Sequence, residues 1–201
     1  MMTLDTLRNR YQEYIPKLLH SNRSYAVLLP LVDTPNGLSL LFEVRAAGIP
    51  QGGEICFPGG RAEPEESPVN CALRETQEEL GIPASSIEIL GALDFVASPR
   101  GFLVHPFLGY LSSDAYQHLN ISPSEVSEIF TVPLSFFENN PAEHHSYRLI
   151  PQIPEDFPLD RYGITPDYPF AQGVSDVPLW VYENRKIWGL TARILTNLFP
   201  E

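Results

Sequence analysis

The sequence predicts an α+β fold, and two observations support that prediction. Apolar, partly alternating runs typical of β-strands dominate the first half of the chain, and turn signals such as Asn36-Gly37 divide them. One strongly signalled helix interrupts these runs, with Ser67 as its N-cap, Pro68 at its first position and Gly81 at its end. Together these patterns indicate a sheet-rich domain with at least one well-defined helix.

Length and composition indicate a single domain over residues 1–201. The chain is 43% hydrophobic and 19% charged, which suffices for one sizeable core and does not require a second. We expect an amphipathic helix at about residues 3–20. We also expect a loop insertion rich in proline and aromatic residues at about 141–176. Two roles stay open for this insertion: it walls a ligand pocket, or it lines a homodimer interface.

The other elements follow from the same periodicities. The strands predicted in the first half are YAVLLPLVD, LSLLFEVR, GEICF, IEILGALDFV and FLVHPFLGYL. In the second half, SEVSEIFTVPLSFF predicts a short helix or turn that leads into a strand, and VPLWVYENRKIWG predicts a second hairpin. The segment LTARILTNLF is typical of a closing helix.

Charge and cysteine content exclude several classes of function. A net charge of −12 argues against sequence-independent nucleic-acid binding, which needs clustered Lys and Arg. The two cysteines, Cys56 and Cys71, form neither a CxxC pair nor a disulfide framework, and they do not suggest zinc. The N-terminal stretch MMTLDTLRNRYQEYIPKLL lacks the apolar core and the cleavage site expected of a signal peptide, and we expect no membrane span because no apolar run is long enough. We therefore expect a cytoplasmic protein without nucleic-acid or membrane partners.

The strongly signalled helix concentrates negative charge. At about 100° per residue, Glu75, Glu78 and Glu79 fall in one arc, which lies nearly opposite an arc of mainly apolar residues expected to face the core. The core arc comprises Val69, Ala72, Leu73, Thr76 and Leu80. The glutamates repel one another unless a cation lies between them. Carboxylates suit a hard divalent ion such as Mg²⁺ or Mn²⁺, but the helix by itself leaves a merely solvated acidic face as the alternative.

The stretch from Gly60 to Ile82 reads G-x5-E-x7-R-E-T-x-E-E-x-G-I and resembles the signature of Nudix hydrolases. It departs at Thr76, where the family usually has an aliphatic residue. The resemblance implies a Nudix fold, an α/β/α sandwich with a mixed central β-sheet. It also implies an enzyme that hydrolyses a small-molecule diphosphate joined to another moiety. A non-catalytic module that senses a nucleotide is the alternative from a different class.

The same resemblance assigns roles to residues of the signature. It implies metal binding by Glu75, Glu78, Glu79 and the carbonyl oxygen of Gly60. It further implies that Glu66 and Arg74 pair and hold the loop against the helix. A planar guanidinium can grip such a carboxylate through two hydrogen bonds.

The general base is open among three residues. Glu125 and Glu128 lie in the region where many family members supply a further catalytic glutamate, and Glu125 is the favoured one. A capping or surface role is the alternative for both, and Glu75 is the alternative base.

Outside the signature, segments such as EICFPGGRAE, SEVSEIFTVPLSFF and IWGLTARIL resemble the coenzyme A pyrophosphatase branch. Pro50 and Gln51 depart from that branch, which usually has an arginine and often a histidine there. The resemblance implies cleavage of coenzyme A or acyl-coenzyme A to 3′,5′-ADP and (acyl-)4′-phosphopantetheine. ADP-ribose, NADH and other nucleoside diphosphate derivatives are the alternative substrates. The candidate substrate-binding cations are Arg45, Arg61 and Arg100.

Overall fold

A computed structural model describes residues 2–14, 18–19 and 23–200. The chain forms two compact units, Met1–Thr131 and Val132–Glu201. In the first unit the elements are α1 (Leu4–Tyr11), β1 (Ser24–Thr34), β2 (Gly37–Arg45), β3 (Ile55–Cys56), β4 (Gly59–Arg61), α2 (Pro68–Leu80), a 3₁₀ turn (Ala84–Ser86), β5 (Ile87–Ala92), β6 (Val96–Ser98), β7 (Phe102–Leu111), α3 (Ser113–Gln117) and β8 (Val126–Pro133), whose last residues belong to the second unit.

The predicted hairpin is present, since β1 and β2 pair antiparallel and Thr34 lies opposite Gly37 across the turn. The five strands on the main path of this sheet are ordered β3-β2-β1-β7-β5. Strand β1 pairs parallel with β7 and antiparallel with both β2 and β4. The sheet is therefore mixed and packs against helices, which confirms the predicted α+β fold class.

Helix α2 begins and ends at the predicted residues. The Ser67 hydroxyl accepts a hydrogen bond from the Asn70 N–H, and Gly81 ends the helix in the left-handed conformation at φ +71°. The helix packs against β1, β4 and β7. The core between them is made of Ala26, Leu28, Val32, Leu41, Cys71, Ala72, Leu80, Ile82, Ile87, Leu111 and Ala115. This packing places the α2 signature residues directly over the sheet.

Thr76 lies in this core without exposed surface. Its hydroxyl donates a 2.7 Å hydrogen bond to the Ala72 carbonyl, one turn earlier. The polar atom is therefore satisfied within the helix, which explains how a threonine replaces the aliphatic residue usual at this position.

The second unit contains α4 (Leu134–Asn139), β9 (Glu143–Leu149), a 3₁₀ turn (Leu159–Tyr162), β10 (Gly173–Tyr182), β11 (Arg185–Trp188) and α5 (Gly189–Leu195). Its sheet is ordered β11-β10-β9, and the predicted hairpin is formed by β10 and β11. The prediction that 141–176 is a loop insertion without strands is wrong at both ends. Glu143–Leu149 forms a strand that pairs with Gly173–Leu179, so only the intervening segment is a loop.

The N-terminal helix is shorter than predicted. Helix α1 covers Leu4–Tyr11, and Thr3 and Thr6 form a reciprocal capping box at its start. The part of the predicted helix at residues 15–17 and 20 lies outside the described residues. Within the described ranges, no helix combines the length and apolar character that a membrane crossing requires.

Candidate active site

The candidate site is built where β4 meets α2. Strand β4 pairs with the start of β1, so that Gly60 lies opposite Ala26 and Gly59 opposite Val27. A side chain at Gly59 would collide with the backbone of Ala26 and Val27, and its φ of +151° also disfavours other residues. This close approach requires glycine and brings the β4 backbone beside the helix.

Glu79 is fixed against this backbone. The Gly59 N–H donates a 2.7 Å hydrogen bond to Glu79 Oε2. The Glu79 side chain lies in the protein interior, with 6% of the residue exposed. Burial, followed by the nearby charges of Glu75 and Glu125, raises the pKa of Glu79, although the Gly59 hydrogen bond opposes the shift. The carboxylate is thus held at a place where negative charge is unfavourable.

Glu75 lies against the next glycine. A Cβ atom at Gly60 would meet the carboxylate of Glu75, so the absence of a side chain at Gly60 makes room for this group. The Gly60 carbonyl oxygen lies 3.6 Å from the Cys71 thiol, which is directed to it as a donor. Burial raises the pKa of Cys71 to about 11, so the thiol keeps its proton at neutral pH.

Arg74 connects the acidic residues to the β4 backbone. Its Nε and Nη2 atoms donate hydrogen bonds of 2.9 and 3.1 Å to the two carboxylate oxygens of Glu66, as predicted. Its Nη1 atom lies 2.9 Å from Glu75 and 3.1 Å from Glu78. Its Nη2 atom also donates to the Arg61 carbonyl. One guanidinium therefore orients three carboxylates and the strand beside them.

The acidic residues around Arg74 differ in the direction in which their pKa values are shifted. Hydrogen bonds from Arg74 and from the Glu63 backbone lower the pKa of Glu66 to about 2. Burial raises the pKa of Glu75, even though Arg74 opposes the shift. Glu66 is consequently a permanent anion that holds Arg74, whereas Glu75 and Glu79 carry charge that the protein compensates only in part.

The expectation that the three signature glutamates share an exposed face opposite the core is wrong. Glu78 is exposed over 54% of its side chain, but Glu79 is buried on the sheet side with Leu80. Leu73, expected in the core arc, is only half-buried. Strand β4 and the loop before the helix cover part of α2 that an isolated helix would leave in solvent, which the helical projection alone does not reveal.

A buried carboxylate that sequence reasoning missed lies in β2. Glu43 is 1% exposed, and burial together with the charge of Glu79 raises its pKa. It lies opposite Cys56 of β3. The available signal was a single acidic residue inside the apolar run LSLLFEVR, which is unusual in a strand buried on both faces.

Glu125 lies near the acidic residues of α2. Its charge raises the pKa of Glu75 and of Glu79, and its backbone carbonyl accepts a hydrogen bond from the Ala46 N–H. The side chain is exposed. Glu128 is also exposed, three residues further on in β8.

The three candidate substrate-binding arginines lie at different places along the sheet and do not form one cluster. Arg61 pairs with Tyr25 near the start of β1, and the turn that holds Arg100 is tied to the same end by a 2.7 Å hydrogen bond from Arg23 to the Arg100 carbonyl. The Arg100 guanidinium lies 5.3 Å from the centre of the Phe102 ring. Arg45 is at the end of β2, where its positive charge opposes the raised pKa of Glu43 and of Glu79.

The segment that departs from the coenzyme A branch is a turn after β2. Arg45 Nε donates a 3.1 Å hydrogen bond to the Pro50 carbonyl. Gln51 has a φ of +61°, which is uncommon for a residue other than glycine, and its amide donates to Glu54. One predicted substrate-binding arginine is therefore engaged in shaping this turn.

A separate cavity of about 640 Å³ lies within the second unit. Its lining includes residues from both ends of the predicted insertion, among them His144 and Asp176, whose side chains are 2.9 Å apart. The buried ring of Trp180 also contributes to its lining. The insertion thus contributes to a pocket wall in this unit, while its expected role in a homodimer stays a prediction.

Comparison with known proteins agrees with the geometry. The NUDIX domain family matches residues 22–153. The chain is 34% identical to the uncharacterized Nudix hydrolase NudL of Photorhabdus laumondii, over 98% of this chain and 97% of that protein. It is 33% identical to the protein of the same name in Pectobacterium atrosepticum, over 97% and 92%. The chain belongs to the Nudix hydrolase family. A crystal structure of a Nudix hydrolase from M. smegmatis, RenU, matches 56% of this chain and 71% of its own, with 24% identity and a TM-score of 0.48.

As a Nudix hydrolase, this protein is an enzyme of a family that acts on nucleoside diphosphate derivatives. Nudix hydrolases generally need divalent metal ions. Among the described residues, no three His, Cys, Asp or Glu side chains are already grouped to hold an ion. Arg74 draws Glu75 and Glu78 to one side, whereas the Gly59 N–H holds Glu79 at the strand. The donor chemistry nevertheless fits a hard cation, because Glu75 and Glu79 are partly uncompensated carboxylates beside the same backbone.

Proposed function

We propose that this Nudix hydrolase cleaves the diphosphate of coenzyme A or acyl-coenzyme A, with Mg²⁺ or Mn²⁺, to give 3′,5′-ADP and (acyl-)4′-phosphopantetheine. The observation that carries the hydrolytic part is the position of Glu75 and Glu79 beside Gly60 and Gly59. Two carboxylates with pKa values raised by burial lie there against a strand whose two glycines leave room for them.

Glu75, Glu78, Glu79 and the Gly60 carbonyl would hold the ion. A bound divalent ion neutralises phosphate oxygens and lowers the pKa of a water ligand. The protein's own groups orient this set. The Gly59 N–H holds Glu79, and Arg74 holds Glu75 and Glu78 while Glu66 anchors the guanidinium.

Glu125 is the proposed general base that accepts a proton from the attacking water. Its support is its electrostatic effect on Glu75 and Glu79, which requires it to lie near them, and its exposure, which leaves its carboxylate accessible. Glu75 is the alternative base, since burial raises its pKa. The variant Glu125→Gln distinguishes the two. Only if Glu125 is the base should this variant abolish the decrease of kcat at low pH that protonation of the base causes.

The choice of coenzyme A rests on the branch-like segments and on the arginines. The 3′-phosphate of coenzyme A needs a cationic partner in a protein of net charge −12. Arg61 and Arg100 lie at one end of β1, on strands or turns that flank it, and are both exposed. An arginine-phosphate contact that the bound substrate shields from water can discriminate against a substrate without that phosphate by several kcal/mol, on the order of 10²-fold or more in kcat/KM.

The deciding experiment measures kcat/KM for coenzyme A, dephospho-coenzyme A, ADP-ribose and NADH with Mg²⁺ and with Mn²⁺, and identifies the products. We expect coenzyme A to be the best substrate. Arg61→Ala and Arg100→Ala should reduce the preference for coenzyme A over dephospho-coenzyme A, whereas Arg185→Ala in β11 is the control. More efficient cleavage of ADP-ribose or NADH would refute the substrate assignment and leave the Nudix chemistry in place.

A further inference from the structure

Glu43 occupies a specific face of β2. Successive residues of a strand point to opposite sides, so Leu41 and Glu43 share one face. Leu41 belongs to the core that includes Cys71, Ala72 and Leu80 of α2. Glu43 therefore lies on the α2 side of the sheet, two residues closer to the end of β2 than this core.

One oxygen of this side chain has no partner. Within the described ranges, no hydrogen-bond donor reaches Glu43 Oε1, which is fully buried. Among the described residues, the other oxygen, Oε2, accepts only a long 4.0 Å contact from the Cys56 thiol. A buried polar atom left unpaired costs about 1 to 3 kcal/mol, and more when it is charged. The folded protein therefore carries the free-energy cost of an unpaired oxygen at Glu43, close to the acidic residues Glu79 and Glu125.

The charges around Glu43 indicate which kind of ligand could pair with its free oxygen. Glu79 is the acidic residue that raises the pKa of Glu43 most, Glu125 acts in the same direction, and Arg45 is the opposing cation. Arg45 also donates to the Pro50 carbonyl. A cation that binds both Glu43 and Glu79 would satisfy the unpaired oxygen and remove the repulsion between two buried carboxylates.

We propose that Glu43 is an additional carboxylate ligand of the divalent ion held at Glu79, and that it supplies its unpaired Oε1 from inside the sheet. This inference rests on the metal dependence within the proposed function, and it extends the ligand set beyond the signature helix. Because Glu43 is 1% exposed, an ion that reaches it must give up water on that side. Mg²⁺ dehydrates reluctantly and keeps several waters, so this ligand favours Mn²⁺ over Mg²⁺.

The test measures binding of Mn²⁺ to the substrate-free protein from the electron paramagnetic resonance signal of the free ion, with Mg²⁺ as competitor. Glu43→Gln should weaken Mn²⁺ binding by about tenfold or more and reduce the preference for Mn²⁺ over Mg²⁺. Glu88→Gln makes the same charge change at an exposed position of β5 and should bind both ions as the wild type does. Glu79→Gln is the positive control.

Glu43→Leu covers the case in which the glutamine variant does not fold, because it removes the unpaired oxygen altogether. It should also lose Mn²⁺ affinity while its metal-free melting temperature is kept or raised. Wild-type Mn²⁺ affinity in a folded Glu43 variant would overturn the inference. Failure of the proposed function would instead be seen in the substrate measurements. Coenzyme A would not be cleaved, whether or not Mn²⁺ binding depends on Glu43.

Discussion

The backbone N–H of Gly59 and the Oε2 atom of Glu79 are 2.7 Å apart, so a strand residue directly holds a carboxylate of the signature helix. The neighbouring Gly60 leaves room for Glu75 on the same side. The two glycines are thus needed for different reasons. A side chain at Gly59 would meet backbone atoms, whereas one at Gly60 would meet the flexible carboxylate of Glu75.

Replacing each glycine by alanine should affect stability and activity differently. Gly59→Ala forces β4 away from Ala26 and Val27, so we expect it to lower the free energy of unfolding by about 2 kcal/mol or more. Gly60→Ala displaces the Glu75 carboxylate, so it should lower kcat with a smaller effect on stability. Denaturant unfolding and steady-state kinetics measure the two effects. Equal loss of stability in both variants would contradict this division.

Glu79→Gln should lower kcat/KM by about a hundredfold or more with Mn²⁺. The amide oxygen can still accept from the Gly59 N–H, so the metal-free melting temperature should stay near the wild-type value. Glu88→Gln on β5 is the matched control and should be fully active. Normal turnover by Glu79→Gln, or activity in excess EDTA, would show that the site is elsewhere.

Arg74→Lys should destabilise the fold by about 2 kcal/mol, because an ammonium cannot reproduce the paired hydrogen bonds to Glu66 and the contacts to Glu75 and Glu78. Activity should fall as well, since Glu75 loses its orientation. Arg61→Lys changes an exposed side chain and serves as the control for stability. Unchanged unfolding of Arg74→Lys would argue against its bridging role.

Leu80→Ala should cost about 2 to 5 kcal/mol, since Leu80 has no exposed surface and lies in the core beneath α2. Leu73→Ala should cost less, because Leu73 is only half-buried. Glu78→Ala should cost least, since it removes an exposed ion pair with Arg74. Urea midpoints rank the three variants, and a larger effect at Leu73 than at Leu80 would show the helix to be rotated.

The metal-free enzyme should lose stability as pH rises above the ordinary carboxyl pKa of 4.5, because burial raises the pKa of Glu43 and of Glu79 in the folded state. The folded protein then binds more protons than the unfolded chain, so removing protons favours unfolding. Unfolding in EDTA from about pH 5 to about pH 8 measures the slope, and Glu43→Gln should flatten it. Stability that rises over this range in the wild type would contradict the prediction.

The sequence by itself determined the elements whose signals are local. Caps and turn residues lie within a few positions of the structures they define, so the limits of α2 at Ser67 and Gly81 and the Asn36-Gly37 hairpin follow from neighbouring residues. The resemblance of the signature to Nudix hydrolases likewise implied the pair of Glu66 and Arg74, which joins a loop to the helix that follows it.

Only the tertiary structure decided which side chains the site buries. Strand β4 packs beside α2 because Gly59 pairs with β1, and this long-range contact turns Glu79 from an expected surface residue into an interior one. The partner of β9 is β10, more than twenty residues further along the chain, so the insertion showed no local strand signal. Glu43 of β2 is buried for the same physical reason: burial depends on which segments pack together, and periodicity within one segment does not report that.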